Sequence, residues 1–175
     1  ELTLELGGAS PEMRQAAELL ATHFAELGLR LRPAYNNWPT FIDKLEKRQA
    51  QLFRIKWLAD YPDGQNFLQL FYSPNASPGP NRANYAHPEF DRLYERAAVM
   101  QDGPERTQLY ARMAEIVVRD CPWIFDGLPL SYSLRHAWLK NVKHHDFPYG
   151  TMKYLRVDVE ERGEWLRRHR GRSLY

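Results

Sequence analysis

The stretch LTLELGGASPEMRQAAELLATHFAELGLRLRPAY, residues 2–35, decides the fold because its hydrophobic period changes twice. Leucines at every second position of residues 2–6 predict a half-buried strand, and apolar residues at helical spacing in residues 11–27 predict an amphipathic helix. Alternation resumes in residues 29–34, which predicts a second strand. A strand, a helix and a strand with short connections indicate a layered α/β domain with some parallel pairing.

The residues at the ends of these elements agree with their hydrophobic pattern. Ser10 is a favourable N-cap, and Pro11 suits the first position of the helix that follows it. Gly28 stands where a helix C-terminus favours a left-handed residue. We predict a second helix within residues 36–49, capped by Asn37.

The rest of the chain continues the alternation of strands and helices. Residues 73–88 hold four prolines, one glycine and three asparagines, which predicts a long irregular loop. The fold class that we predict is α/β, with a mixed sheet flanked by helices. The remaining predicted elements are a strand at Leu52–Trp57, a short helix at 66–73, helices at Pro88–Met100 and Glu105–Arg119, strands at 121–125 and 129–139, and a helix within 159–172.

Composition excludes several classes of protein. The 175 residues are 43% hydrophobic and 26% charged, as in an ordinary globular chain, and the net charge of +2 argues against a dedicated nucleic-acid or membrane binder. No apolar run approaches the roughly 20 residues of a membrane span. The opening residues lack the features of a signal peptide and predict a strand that begins within a larger protein. The single cysteine, Cys121, excludes an intramolecular disulfide.

The sequence ADYPDG, which follows the third predicted strand, contains the candidate site. Pro62, Asp63 and Gly64 are turn-forming residues, so one interpretation is simply a turn. A second interpretation is that a carboxylate at the strand end receives a cationic group, which would supply the partner charge that a buried carboxylate needs. A third is a pair of catalytic carboxylates, Asp60 and Asp63, because glycoside hydrolysis uses two carboxyl groups about 5–10 Å apart.

Two further groups of residues are weaker candidates. His144, His145 and Asp146 could bind a metal, but adjacent histidines on a strand point to opposite faces, and no further ligand stands at metal-site spacing. Four arginines in residues 167–172 could make a basic interaction module, although the glutamates in residues 160–164 offset their charge. We therefore predict no metal and no cofactor.

Four motifs in a fixed order resemble one family of proteins. They are W-x-A-D-Y-x-D from Trp57, N-x-x-x-Y-x-x-P-E-F-D-x-L from Asn81, E-R-x-x-L-Y from Glu105, and HAWLKNV at residues 136–142. The set resembles the C-terminal half of the family 5 extracellular solute-binding proteins, which are the peptide- and nickel-binding components of ABC importers. The match spans nearly the whole chain and weakens after Asn141.

This resemblance implies a receptor of two lobes that enclose a solute and then deliver it to a membrane permease. Residues 1–128 would form the second lobe. The chain would recross the hinge near Pro129–Leu134, and residues 129–175 would complete the first lobe. The implied location is the periplasm or the cell surface, where some of these receptors are lipoproteins. The implied partners are a peptide or similar small solute and the ABC permease, with no nucleic acid and no enzymatic activity.

The resemblance also implies roles for residues near the third strand. Asp60 occupies the position that holds the α-ammonium of a peptide in the peptide-binding members. Trp57 and Tyr61 would line the cleft with aromatic rings, and Arg54 would meet a carboxylate of the ligand. The alternative to this receptor is the carboxylate-dependent hydrolase that uses Asp60 and Asp63.

Overall fold

The structure is a computed structural model of the chain. It describes residues 1–125, 127, 130, 132–145, 147 and 149–169. The chain forms two compact units, Glu1–Ile124 and Phe125–Tyr175. The boundary that we predicted between residues 128 and 129 lies outside the described residues.

A parallel sheet of three strands forms the centre of the first unit. The strands are β1 (Leu2–Leu6), β2 (Leu31–Tyr35) and β3 (Leu52–Arg54), in the order β2-β1-β3. Both pairings in this sheet are parallel. The predicted α/β class is confirmed, but the sheet is parallel and not mixed. Among the described residues, antiparallel pairing occurs in the second unit, between β4 (Leu139–Lys140) and β5 (Arg156–Val157).

The helices next to this sheet begin and end where the sequence predicts. Helix α1 (Pro11–Glu26) begins with the Ser10 side chain accepting the Met13 N–H, and helix α2 (Trp38–Glu46) is capped in the same way by Asn37. Gly28 has a φ of 73°, in the left-handed region where a residue without Cβ is least strained.

The alternation of β1 separates an apolar face of the sheet from a polar one. Leu4 and Leu6 are buried in a cluster with Ala17 of α1. Glu5 points away from this cluster, since successive side chains of a strand face opposite sides. Its buried carboxylate lies 2.8 Å from the Lys44 Nζ of α2. Helices therefore flank the sheet on both faces.

A second core lies among the helices that follow the sheet. These are α3 (Gln65–Leu68), α4 (Pro88–Ala98) and α5 (Pro104–Asp120), with 3₁₀ turns at Gln69–Phe71 and Ser73–Asn75. The buried residues of this core are Leu70, Phe71, Phe90, Tyr94, Ala97, Met113, Ile116 and Val117.

The long loop before α4 is held by one buried side-chain amide. Asn81 is fully buried, and its Nδ2 donates to the carbonyl oxygens of Tyr72, at 3.1 Å, and Tyr85, at 2.8 Å. Its Oδ1 accepts the Tyr85 N–H. Asn81 thus satisfies loop backbone groups that no regular element pairs, which explains how a proline-rich segment keeps one conformation.

Two strand predictions are wrong and a third is too long. Strand β3 ends at Arg54 instead of Trp57, because its partner β1 pairs with it only as far as Leu6. Residues 121–125 are not a strand, because Cys121 ends α5 in the left-handed conformation with a φ of 48°. Of the predicted strand at 129–139, residues 129 and 131 lie outside the described residues, and Leu139 alone is in a strand.

The second unit contains β4, β5 and helix α6 (Val159–Arg168), which confirms a helix within residues 159–172. The Asp158 side chain caps α6 by accepting the Glu161 N–H. Trp138, His136 and Trp165 form a cluster of three rings, in which Trp138 is stacked on His136 with centroids 3.8 Å apart and is edge-on to Trp165 at 5.1 Å. Within the described ranges, no helix combines the length and apolar character required to span a membrane.

Gly7 permits the close packing of α2 against the end of β1. A Cβ at Gly7 would lie 2.7 Å from Cδ1 of Phe41 and 2.8 Å from Cε3 of Trp38. We expect Gly7→Ala to lower the free energy of unfolding by about 1–3 kcal/mol, as overpacking does. Gly8→Ala is the matched control, since its Cβ would lie 3.5 Å from the flexible end of Met13. Urea denaturation of both variants checks this, and equal stabilities would contradict it.

Candidate functional site

The carboxyl ends of the three parallel strands lie side by side. Leu6 of β1 is in register with Tyr35 of β2 and Arg54 of β3, which are the last residues of their strands. Exposed aromatic rings follow two of these strand ends: Trp38 begins α2 after β2, and Trp57 lies in the irregular segment after β3. In open α/β sheets, ligands bind outside the carboxyl ends of the strands. This edge is therefore the candidate functional site.

The four predicted ligand residues lie together in sequence, between the end of β3 and α3. Arg54 is half-buried at the end of the strand. Trp57, Asp60 and Tyr61 are exposed on the irregular segment that follows, with 36% of Trp57 and 40% of Tyr61 accessible to solvent. All three can therefore contact a ligand without any rearrangement of the core.

Asp63, the second carboxylate of the loop, makes hydrogen bonds and an ion pair within the protein. Its Oδ1 accepts the Gln65 N–H at 2.9 Å and the Tyr110 hydroxyl at 2.8 Å. Its Oδ2 lies 2.7 Å from Nη1 of Arg106. Like many aspartates in turns, it accepts a backbone N–H, and it also anchors the loop to α5.

Arg106 extends this anchor to the end of α4. The Arg106 side chain is 11% exposed, and its Nε donates to the Ala97 carbonyl oxygen at 3.0 Å. It also pairs with Asp102 in the turn between α4 and α5. One guanidinium group therefore joins two helices to the loop that carries Asp60, and the planar fork of arginine suits such a multiple contact.

The loop also packs directly on α5. A Cβ at Gly64 would lie 3.0 Å from Cδ2 of the Tyr110 ring, so glycine allows the backbone to rest on that ring. The guanidinium of Arg106 lies 4.9 Å from the centre of the same ring. The Asp63–Gly64 pair of the ADYPDG sequence is thus explained by a hydrogen-bonded carboxylate at Asp63 and a close backbone approach at Gly64.

The pKa of Asp63 reflects these contacts. Burial by itself would raise the pKa of this carboxyl. The hydrogen bonds from Gln65, Arg106 and Tyr110 outweigh burial, and the pKa lies below its ordinary value. Asp63 is therefore ionised in the folded protein at neutral pH.

This arrangement disfavours the hydrolase that the sequence left open. A general acid needs a raised pKa, whereas the pKa of Asp63 is lowered. Both oxygens of Asp63 also accept hydrogen bonds from the protein. Only Asp60 of the proposed pair is exposed, and one carboxylate does not make the two-carboxylate site of a glycosidase.

Side chains from α3 hold the two aromatic residues of the loop. The Trp57 indole N–H donates to Oδ1 of Asn66 at 2.7 Å. The Tyr61 hydroxyl donates to Oε1 of Gln65, whose amide nitrogen donates to the Tyr94 hydroxyl at 2.7 Å. Asn66 and Gln65, which the predicted site did not include, therefore orient the two rings through hydrogen bonds.

Sequence reasoning missed two aromatic residues at the same edge. Trp38 is 56% exposed and Tyr35 is 36% exposed, and both lie where the chain leaves β2. The available signal was the N-cap at Asn37, because a cap directly after a strand marks the loop at the carboxyl end of that strand.

The weaker candidates form no site among the described residues. His144 and His145 are exposed, and Asp146 lies outside the described part of the chain. No group of three metal-ligating side chains occurs within the described ranges. Of the basic tail, Arg168 pairs with Glu164, and Arg170 and Arg172 lie outside the described residues.

Comparison with known proteins gives consistent results. No family model matches the chain. Heme-binding protein A of Haemophilus influenzae is 26% identical over 154 residues, which are 87% of this chain and 27% of that protein. The oligopeptide-binding protein OppA of Bacillus subtilis is 31% identical over 96 residues, which are 55% of this chain and 17% of that protein.

The comparison with solved structures agrees with these sequence relatives. A dipeptide-binding protein from Pseudoalteromonas sp. SM9913, solved in complex with Met-Leu, matches with a TM-score of 0.63 and 27% identity, over 69% of this chain and 25% of that one. The chain is a homologue of the family 5 solute-binding proteins. It spans about a quarter or less of the length of these three relatives, and each is named for a ligand that it binds.

The two carboxylates of the loop should differ in their effect on stability. We expect Asp63→Asn to lower the free energy of unfolding by about 1–3 kcal/mol, because the partly buried Arg106 loses its less exposed ionic partner and keeps the solvent-exposed Asp102. Asp60→Asn is the matched control and should change it by less than about 0.5 kcal/mol, as exposed substitutions usually do. Thermal and urea unfolding measure both, and a larger effect at Asp60 would contradict this assignment.

The lowered pKa of Asp63 also predicts a pH dependence. Its contribution to stability is fully present above the unfolded carboxyl pKa of about 3.9 and is lost as the pH falls through the lower folded value. Between pH 5 and pH 2, we expect Asp63→Asn to lose less stability than the parent chain. Equal losses of stability on acidification of the two proteins would show that the Asp63 carboxyl does not cause this pH dependence.

Proposed function

We propose that this chain supplies one lobe of a two-lobed receptor that captures a peptide or a similar small solute for an ABC importer. In this proposal residues 1–128 form the lobe, residues near Pro129–Leu134 recross the hinge, and residues 129–175 complete the other lobe. The receptor works in the periplasm or at the cell surface and delivers its solute to a membrane permease.

One observation carries this proposal. Exposed aromatic rings and the exposed Asp60 lie in the loops at the carboxyl edge of the parallel sheet, and the Asp63–Arg106 contact fixes the loop that bears Asp60. A ligand site needs this combination of accessible groups and a rigid support, because ordering a mobile loop would reduce affinity.

Asp60 is the proposed partner of a ligand ammonium group. A carboxylate that is exposed in the open receptor would be enclosed with its ligand when the lobes close. In the resulting dry cleft, an ammonium and a carboxylate form a charge-assisted hydrogen bond, which is stronger than a neutral one. The relatives named for peptides have ligands that carry such an ammonium group.

Three other residues complete the proposed contacts. Trp57 and Tyr61 offer aromatic surface on the same segment as Asp60. Arg54, at the end of β3, is proposed to meet a carboxylate of the ligand. Because a peptide carries both charges, an acidic and a basic residue six positions apart in one segment suit a zwitterionic solute.

The charge of Asp60 can be tested in the complete two-lobed receptor that this proposal implies. With the tripeptide Ala-Phe-Ala as ligand, we expect Asp60→Asn to weaken binding by about 2–5 kcal/mol, as for a desolvated charge pair that loses one partner. Isothermal titration calorimetry measures this loss. N-acetylated Ala-Phe-Ala is the matched control, because the parent receptor should lose a similar amount of affinity for a ligand without the ammonium.

Two results would contradict this assignment. Unchanged affinity in Asp60→Asn would show that Asp60 does not hold the ammonium. Additive losses for the variant and the acetylated ligand would show that the two groups do not meet, since interacting groups give non-additive changes. A hemin titration followed by absorbance is a separate experiment. Tight binding of hemin without binding of peptide would show that the ligand is a porphyrin and not a peptide.

A single lobe should bind poorly by itself. A two-lobed receptor gains affinity when both lobes enclose the solute, and one lobe supplies only part of the contacts. We therefore expect the 175-residue chain to bind Ala-Phe-Ala more weakly than micromolar in the same calorimetric assay. Micromolar or tighter binding by this chain alone would count against a two-lobed receptor.

A further inference from the structure

The Trp57 side chain is hydrogen-bonded to the protein on its polar edge. Its only hydrogen-bonding group, the indole N–H, donates to Oδ1 of Asn66 at 2.7 Å. Asn66 is fully buried, whereas 36% of Trp57 is accessible to solvent. The nitrogen edge of the indole therefore faces inward, and the accessible part of the side chain is carbon.

The orientation of the Asn66 amide follows from the same contact. An indole nitrogen can only donate, so the oxygen of Asn66 must face Trp57 and Nδ2 must point elsewhere. Within the described part of the chain, this buried Nδ2 has no hydrogen-bond partner. A buried donor without a partner costs stability. The side chain of Asn66 therefore carries a cost in stability, and its one described side-chain hydrogen bond is the one that Oδ1 accepts from Trp57.

The backbone of Asn66 is fixed by the anchored loop. Its N–H donates to the Asp63 carbonyl oxygen at 3.0 Å, and its own carbonyl accepts the Gln69 side-chain amide at 3.0 Å. Asn66 consequently has little freedom to follow a moving indole, and the position of Trp57 is set by the same loop that carries Asp60.

We infer that Asn66 is a positioning residue that makes Trp57 a purely apolar wall of the ligand site. The inference rests on the proposed function and specifies it further. An indole whose N–H is already bonded can contact a ligand only through its ring, so this subsite selects apolar or aromatic side chains. A ligand amide placed there would lose its bonds to water and gain none from Trp57.

Indole N–H exchange in the 175-residue chain tests the positioning role without any ligand. The five tryptophans give separate indole signals in a ¹H–¹⁵N correlation spectrum, and Trp57→Phe identifies the signal of Trp57. We expect this N–H to exchange with solvent about tenfold more slowly than that of Trp38, which is 56% exposed. Asn66→Leu should abolish the difference, because leucine has a similar volume but no acceptor.

Asn66→Asp is the rescue variant. It keeps an acceptor oxygen and replaces the Nδ2 that has no described partner by a second carboxyl oxygen, so the slow exchange should persist. Fast exchange of the Trp57 N–H in the parent chain, or slow exchange in Asn66→Leu, would overturn the positioning role. If Asn66→Leu does not fold, the parent and Asn66→Asp spectra still decide the question.

A second arm tests selectivity with two defined peptides. Chemical-shift titrations at millimolar concentration suit the weak binding expected of one lobe, with Ala-Phe-Ala and Ala-Gln-Ala as probes. We expect the parent chain to prefer the phenylalanine peptide by about tenfold, and Asn66→Leu, with its released N–H, to lose most of that preference. An equal preference in both proteins would overturn the selectivity. If neither peptide binds to the complete two-lobed receptor either, the proposed peptide binding fails, and the role of Asn66 is then decided by the exchange data alone.

Discussion

The ion pair between Asp63 and Arg106 is the contact on which the candidate site depends. It joins the loop after β3 to α5, and through the Ala97 carbonyl it also holds the end of α4. A partly buried pair contributes little net stability once desolvation is counted. Its contribution is geometric, because a planar guanidinium with several fixed acceptors restricts the position of the loop. Because Asp60 lies three residues from Asp63 in the same loop, this contact also restricts the position of Asp60.

The family motifs are mostly structural when their contacts are examined. Asn81 satisfies the backbone of a long loop, Phe90 fills the second core, and Arg106 anchors Asp63. Their fixed order in the sequence reflects the elements that they connect. In the proposed receptor, the ligand contacts come from a short segment, residues 54–61, whose exposed side chains can change without disturbing the core. One lobe could therefore serve relatives named for peptides and for heme.

The sequence was most informative where local rules decide the structure. Caps at Ser10 and Asn37 and the period of Leu2–Leu6 predicted the first elements to within a few residues. It failed where a distant partner decides, since β3 stops where its partner β1 stops, and residues 121–125 pair with no strand in the described part of the chain. In the site, the turn-forming character of Pro62, Asp63 and Gly64 agrees with the backbone N–H that Asp63 accepts. Nothing local predicted that Arg106, 43 positions along the chain, would bind Asp63.

Hydrogen exchange measured by mass spectrometry on Arg106→Gln tests most directly whether this contact holds the loop. The variant keeps much of the aliphatic stem and removes the guanidinium that binds Asp63. Our account predicts faster exchange in a peptide covering residues 57–68, with unchanged exchange in residues 1–8 of the sheet. Unchanged exchange in residues 57–68 would show that the loop is held by other contacts, and equal acceleration in both peptides would show a general loss of stability. Either result would contradict a specific role of the Asp63–Arg106 pair.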